Sequence, residues 1–299
     1  MRSNQPQVIL SSVILLLTLS AVACYAILTG TLIYSPAEEV FTGSSTGNFS
    51  DNLSPRSLVP SGGGKLEARP VSVQVLKDDT ADIAYTYPVF TGLGSAPVEQ
   101  KINDDLRVRM EAAAEQARAS VGNACPQGAT PDALGWECHF GYASDYKSFS
   151  QYPGRILSVR VETYEYAGGA HGGTLVEFWN YDLVTGKRRD WRDAFRADAD
   201  YLELIAAGAR PELEEQLLGE SGMTDTEWIE EGSAPGADNY AGDCVGFTEE
   251  GLQVVYQEYQ VAPYAQGAVM VSVPYAGMAY ALKPDGFLGA EARTEFTDI

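Results

Sequence analysis

"RILSVRVETYEYAGGAHGGTLVEFWNYDLVTGK", residues 155–187, alternates, turns on glycines and alternates again. Leu157, Val159 and Val161 fall on one side of an extended chain and Ser158, Arg160 and Glu162 on the other. That period of two is a strand with one apolar face. "TLVEFWNYDL" reads as its partner, closed by the Thr-Gly of "LVTGK" as a hairpin turn. Gly168, Gly169, Gly172 and Gly173 admit positive φ and let the chain reverse sharply around His171.

Outward from this pair the pattern changes twice. Upstream, "VSVQVL" and "ADIAYTYPVF" are strands separated by the turn "KDDT". Val98, Ile102, Leu106 and Met110, continued by Ala113, Ala117 and Val121, form the stripe of an amphipathic helix starting at Ser95 or Pro97. Trp136 to Ser150 reads as a strand or hairpin. Downstream, "DWRDAF" and "DADYLELIAAGARPELEEQLL" are helical, with Pro211 opening a new segment. "TDTEWIEE" is a short helix with acids in its first turn. "CVGFTEEGLQVVYQEYQ" is a hairpin turning at Glu249, Glu250 and Gly251. "AVMVSV" is a strand, and "PYAGMAYAL" a closing helix begun by Pro274. Strands and helices gathered separately predict an α+β fold of antiparallel sheet with helices packed on one face.

The first 65 residues set the address. Residues 8–34 contain no charged side chain. As a helix they span ~40 Å, more than the ~30 Å hydrocarbon core needs. Arg2 lies before this run and Glu38 and Glu39 after it, which predicts a transmembrane or signal helix with the remaining chain outside the cytoplasm. "AVAC" at 21–24 offers a second reading, a lipoprotein attached through Cys24, and a third, simple cleavage. Residues 35–66, rich in Ser, Gly, Thr and Pro, read as a flexible linker. Cys125 and Cys138 bracket a turn-rich stretch and are disulfide candidates, with Cys244 left over as a buried thiol or a rival partner.

The net charge of -21 resides entirely beyond residue 65, and no Lys or Arg occurs between Pro211 and Leu282. A surface of this kind argues against nucleic acid, whose phosphates need clustered bases, and suits a cationic partner. His171 has no nucleophile elbow or Cys–His pattern around it, and no second histidine at ligand spacing. The residues therefore assign it to the turn, hydrogen-bonded there or lining a surface groove. Tyr164, Tyr166, Trp179, Tyr181 and Tyr264 join it as candidates for contact with a ligand or partner, since Tyr and Trp stack on sugars and anchor proteins.

Three stretches in order carry a resemblance: "YEYAGGAHGG" with "NYDLVTGK", an acidic helical region, and "FTEEGLQVVYQEYQVAPYAQGAVMVSVPY". Together they resemble a pairing of bacterial extracytoplasmic domains over residues 68–283. The first domain resembles the amino-terminal part of PdaC-type peptidoglycan deacetylases; the second resembles the carboxy-terminal domain of RsiV-type anti-sigma factors, whose ectodomain senses lysozyme. The implied organisation is an anchor or signal (1–34), a linker (35–66), a PdaC-like domain (67–167), an RsiV-like domain (168–285) and a tail (286–299). Residues 1–7 are too few for a sigma-binding helix pair. The deacetylase's separate catalytic domain uses an Asp and two His for a metal, whereas the histidines here are His139 and His171. The expectation is a membrane-tethered envelope module, without catalysis, cofactor or metal, that engages a cell-wall glycan or a cationic muramidase such as lysozyme. An envelope glycan-modifying hydrolase or esterase is the rival reading, and a structural or assembly component the third. Glu162 and Glu165 are a poor acid pair for that hydrolase, because three residues apart on a strand they face opposite ways.

Overall fold

The computed structural model describes residues 65–124, 139–152, 154–219 and 224–288. The anchor or signal segment, most of the linker, Cys24, Cys125, Cys138 and most of the tail lie outside these residues. Among the described residues no helix is long and apolar enough to cross a membrane.

Six strands form the first sheet: β1 (Glu67–Lys77), β2 (Ala81–Thr91), β3 (Phe140–Tyr152), β4 (Ile156–Tyr166), β5 (Gly173–Asp182) and β6 (Arg188–Arg189), neighbours in that order. The opening stretch is the hairpin its alternation predicts, β4 and β5 pairing antiparallel from Glu165 opposite Gly173 to Ile156 opposite Asp182. The next turn is fixed by Asp182, whose Oδ1 accepts from the amides of Val184 and Thr185 while Gly186 takes φ 68°. The sheet thus runs to Arg189, past the domain boundary expected at residue 167.

One pairing departs from the antiparallel expectation. β2 and β3 run parallel, because the chain between them is the crossover helix α1 (Ala96–Ala124), and a crossover returns the next strand in the same direction. The stripe is as expected at Val98, Ile102, Leu106, Met110 and Ala117, with Ala114 rather than Ala113 in the seam. Full burial of Ile102, Leu106 and Met110 against β2–β5 contributes about 2 kcal/mol each.

The other face of the sheet is covered by a second one. β7 (Val245–Phe247), β8 (Gly251–Tyr256) and β9 (Val269–Pro274) are antiparallel, backed by α2 (Tyr201–Leu217) and α3 (Thr226–Ser233). β7 is an edge strand, and polar side chains of the first sheet satisfy its free backbone. Phe247 N–H donates to Ser158 Oγ at 2.8 Å, Ser150 Oγ donates to the Phe247 carbonyl at 2.8 Å, and Asn180 Nδ2 donates to the Val245 carbonyl at 2.8 Å. Ser158 also donates to Asn180 Oδ1 at 2.6 Å. The polar face of β4 is therefore part interface. Asn180→Ala removes the donor to the Val245 carbonyl and the acceptor of the Ser158 hydroxyl proton, and is expected to cost about 2 kcal/mol in urea unfolding. A loss under about 0.5 kcal/mol would show that the two sheets are not joined by these bonds.

Three helical expectations change. Pro211 sits inside α2 instead of opening a new helix. Ala207 and Pro211 both face solvent, so the carbonyl that Pro211 leaves unbonded is free to meet water. "DWRDAF" forms only a 3₁₀ turn, Trp191–Ala194. "PYAGMAYAL" gives two 3₁₀ turns, Tyr275–Gly277 and Ala279–Ala281, rather than an α-helix. Its buried residues are Tyr275, Met278, Ala279, Ala281 and Leu282.

Candidate functional site

The loop between β4 and β5 projects from one end of the first sheet and meets the segment that follows β8. Gly168 and Gly169 take φ 95° and 90°, as the glycine-rich turn predicts. Gly172 serves a different need: a Cβ there would collide with the Glu165 carbonyl and the Tyr164 ring, so only glycine fits. His171 is exposed at the tip, with Nδ1 2.8 Å from the Gly172 carbonyl. A carbonyl only accepts, so Nδ1 carries the proton, and in the neutral ring Nε2 accepts from the Tyr259 hydroxyl at 3.3 Å.

Around the imidazole the structure gathers aromatic rings from both halves of the chain. His171 stacks on Tyr264 with centroids 3.8 Å apart and planes at 23°. Tyr259 leans against both, 6.4 Å from His171 and 5.7 Å from Tyr264. Tyr164, on the β4 face that looks toward this cluster, packs beneath Gly172. Glu258 closes the group, accepting the Thr174 amide at 3.1 Å on Oε2. Burial raises the Glu258 carboxyl above its usual range, while the bond from Thr174 and the nearby His171 pull the other way. Tyr264 is raised too, by burial first and then by Glu258 and its tyrosine neighbours.

Tyr259 is the one described non-glycine residue with positive φ, at 65°. A left-handed L-residue costs about 1–2 kcal/mol, and such strain collects where a side chain must be aimed. The flanking bonds Gln260 N–H to the Gln257 carbonyl and Gln257 N–H to Gln260 Oε1 hold it there. Tyr259→Gly is expected to be more stable than Tyr259→Ala by about 1 kcal/mol in thermal unfolding, because glycine alone relieves the strain. The reverse order would contradict a strained Tyr259.

Of the six contact residues expected from sequence, His171, Tyr164 and Tyr264 come together. Tyr166 sits at the edge of the same turn, its hydroxyl donating to the Gly169 carbonyl at 2.9 Å. Trp179 and Tyr181 do not belong to the site. They lie on the opposite face of β5, buried under α1, and the Tyr181 hydroxyl donates to Asp105. The alternation that puts Val176 and Phe178 toward the second sheet puts these two toward the helix. Glu165 likewise faces α1, away from Glu162, which pairs with Arg160 at 3.2 Å. Sequence reasoning missed Glu258 and Tyr259, whose stretch "YQEYQ" reads as the end of a strand.

His139 bonds elsewhere, its Nδ1 3.3 Å from the Asp79 carbonyl. Among the described residues no three of His, Cys, Asp and Glu converge to hold a metal. Cys244 is a buried free thiol, pushed by burial up to about 12.

Comparison with known proteins divides the chain at the same place as the site. Residues 74–174 match the family described as deacetylase PdaC, and residues 192–276 match a family of unknown function, DUF3298. The first match contains Tyr164 and His171, the second Glu258, Tyr259 and Tyr264. The curated peptidoglycan-N-acetylmuramic acid deacetylase PdaC of Bacillus subtilis is 29% identical over 129 residues, 43% of this chain and 26% of that protein. The chain thus matches about a quarter of the relative's length. A DUF3298 protein of Pseudomonas aeruginosa superposes with TM-score 0.50 at 18% identity, covering 75% of this chain and 95% of that one. One from Bacteroides fragilis gives 0.49 at 21%, covering 78% and 98%. The expectation of a protein without catalysis is corrected here. The sequence relative is itself a deacetylase, and that points toward an enzyme.

Proposed function

We propose that this chain, a PdaC domain followed by a DUF3298 domain of the RsiV-like kind, works on peptidoglycan at the extracytoplasmic side of the cell envelope. Its reaction class is that of its relative, hydrolysis of an N-acetyl group on the glycan, and the glycan seats on the rim of His171, Tyr259 and Tyr264. The observation that carries this reading is that the rim is assembled from the two matched regions, neither of which holds it alone. Stacked rings offer a pyranose its flat apolar contact. Glu258 and His171 Nε2, within electrostatic reach of one another, are acceptors that can take a proton and return it at an acetamide. The apolar segment 8–34, retained or lipidated at Cys24, would hold the module beside the wall.

The test incubates full-length protein with purified peptidoglycan sacculi and measures bound protein and released acetate. Binding with acetate release, both reduced at least about tenfold in Tyr264→Ala, supports the reading. Neither binding nor acetate release would remove it. A second reading, capture of a cationic muramidase such as lysozyme, is favoured by the absence of Lys and Arg between Pro211 and Leu282. Lysozyme that co-elutes with the protein at low salt and separates at high salt would support it.

A further inference from the structure

The rim has a chemistry beyond that of a sugar platform. Tyr164 and Tyr264 lie within electrostatic reach of one half-buried carboxylate, Glu258, and Tyr259 follows it directly in the chain and leans against Tyr264. One oxygen of Glu258 is committed to the Thr174 amide, and a carboxylate has capacity for further donors. Among the described residues the basic group acting on Glu258 is His171, whose Nδ1 proton is already given to the Gly172 carbonyl. No lysine or arginine occurs within forty residues of Glu258 toward the amino terminus, nor before Lys283 toward the carboxy terminus. A carboxylate beside tyrosine side chains, paired with no lysine or arginine among the described residues and on a chain of net charge -21, is complementary to a cation. The quadrupole of each ring adds to the attraction, and an ammonium supplies the donors Glu258 lacks.

We infer that the Glu258 rim recognises the free amine of a de-N-acetylated hexosamine in a glycan strand. A lysine side chain brings the same ammonium, but it makes no use of the flat His171–Tyr264 stack, whereas the ring of an amino sugar does. This inference rests on the peptidoglycan reading and deepens it. The site holds the strand in its modified state, so the module keeps to stretches of wall from which acetyl groups have been removed.

The experiment is calorimetric titration of the full-length protein with glucosamine tetramer and with N-acetylglucosamine tetramer. It is done at pH 6 and low salt, where a sugar amine, like an α-amine, is charged. The amine form should bind at least about tenfold more tightly, the value of one charge-assisted contact. Glu258→Gln, which keeps an acceptor for the Thr174 amide, should abolish that preference. Equal or tighter binding of the acetylated tetramer by the native protein overturns the inference and leaves the peptidoglycan reading standing. A preference that survives in Glu258→Gln overturns it as well. Binding of neither tetramer removes both. A poly-lysine peptide that binds where the amine tetramer does not assigns the rim to a protein partner and also overturns the inference.

Discussion

Replacing Glu165 by glutamine is expected to stabilise the protein by about 3 kcal/mol at pH 7 and to leave it unchanged at pH 4. Glu165 is 7% exposed, on the face of β4 that meets α1, and its Oε2 has no hydrogen-bond partner among the described residues. Burial pushes its carboxyl up to about 9 from the ordinary 4.5. The folded protein therefore keeps the proton over a range in which the unfolded chain has released it. Stability from this group is complete below about pH 4.5 and is lost as the pH rises through about 9, at roughly 1.4 kcal/mol per unit. Glutamine fills the same space without titrating, so the advantage of the variant grows across that window. Urea midpoints of both proteins at pH 4, 6 and 8 measure it. A difference between variant and native protein that does not grow with pH would mean that Glu165 ionises freely in the fold.

The second large effect falls on the turn. Gly172→Ala is expected to cost about 3 kcal/mol and to abolish glycan binding together. The new methyl would be driven into the Glu165 carbonyl and the Tyr164 ring, and the backbone carbonyl gives little. Relief requires the loop to lift, which carries His171 away from Tyr264. Gly169→Ala provides the contrast. Its Cβ position is open, so only the cost of φ 90° applies, about 1–2 kcal/mol, and the His171 stack is undisturbed. Thermal unfolding with sacculus binding separates the two. A Gly172→Ala protein that binds as the native does would show that the Tyr164–His171 arrangement is not what the glycan needs.

How far these features were legible follows from which forces are local. Alternation in "RILSVRVETYEY" and the glycines after it are local signals, and the β4–β5 hairpin followed from them. The parallel pairing of β2 with β3 was not legible, because it depends on where α1 returns the chain, a non-local matter. What covers each side of β5 was equally hidden. Both faces of the sheet are covered, one by α1 and the other by the second sheet, so Trp179 and Tyr181 looked accessible and are not. Residues 274–282 show a third kind of limit, since their apolar spacing reads as an α-helix and the chain winds as two 3₁₀ turns. At the site, His171, Tyr164 and Tyr264 were found as candidates because histidine among glycines and tyrosine on strands are conspicuous. Tyr259 carried no such signal, since a left-handed residue is normally announced by Gly or Asn. Glu258 matters only through the fold that brings it to Thr174.

The central claim, that peptidoglycan is held at the His171 rim, is tested most directly by titrating the protein with soluble peptidoglycan fragments and following the ring proton resonances of its histidines. His171 should shift and saturate with the same affinity as bulk binding, while His139, bonded to the Asp79 carbonyl, stays fixed. Fragments that bind without moving His171, or that do not bind at all, would contradict the account.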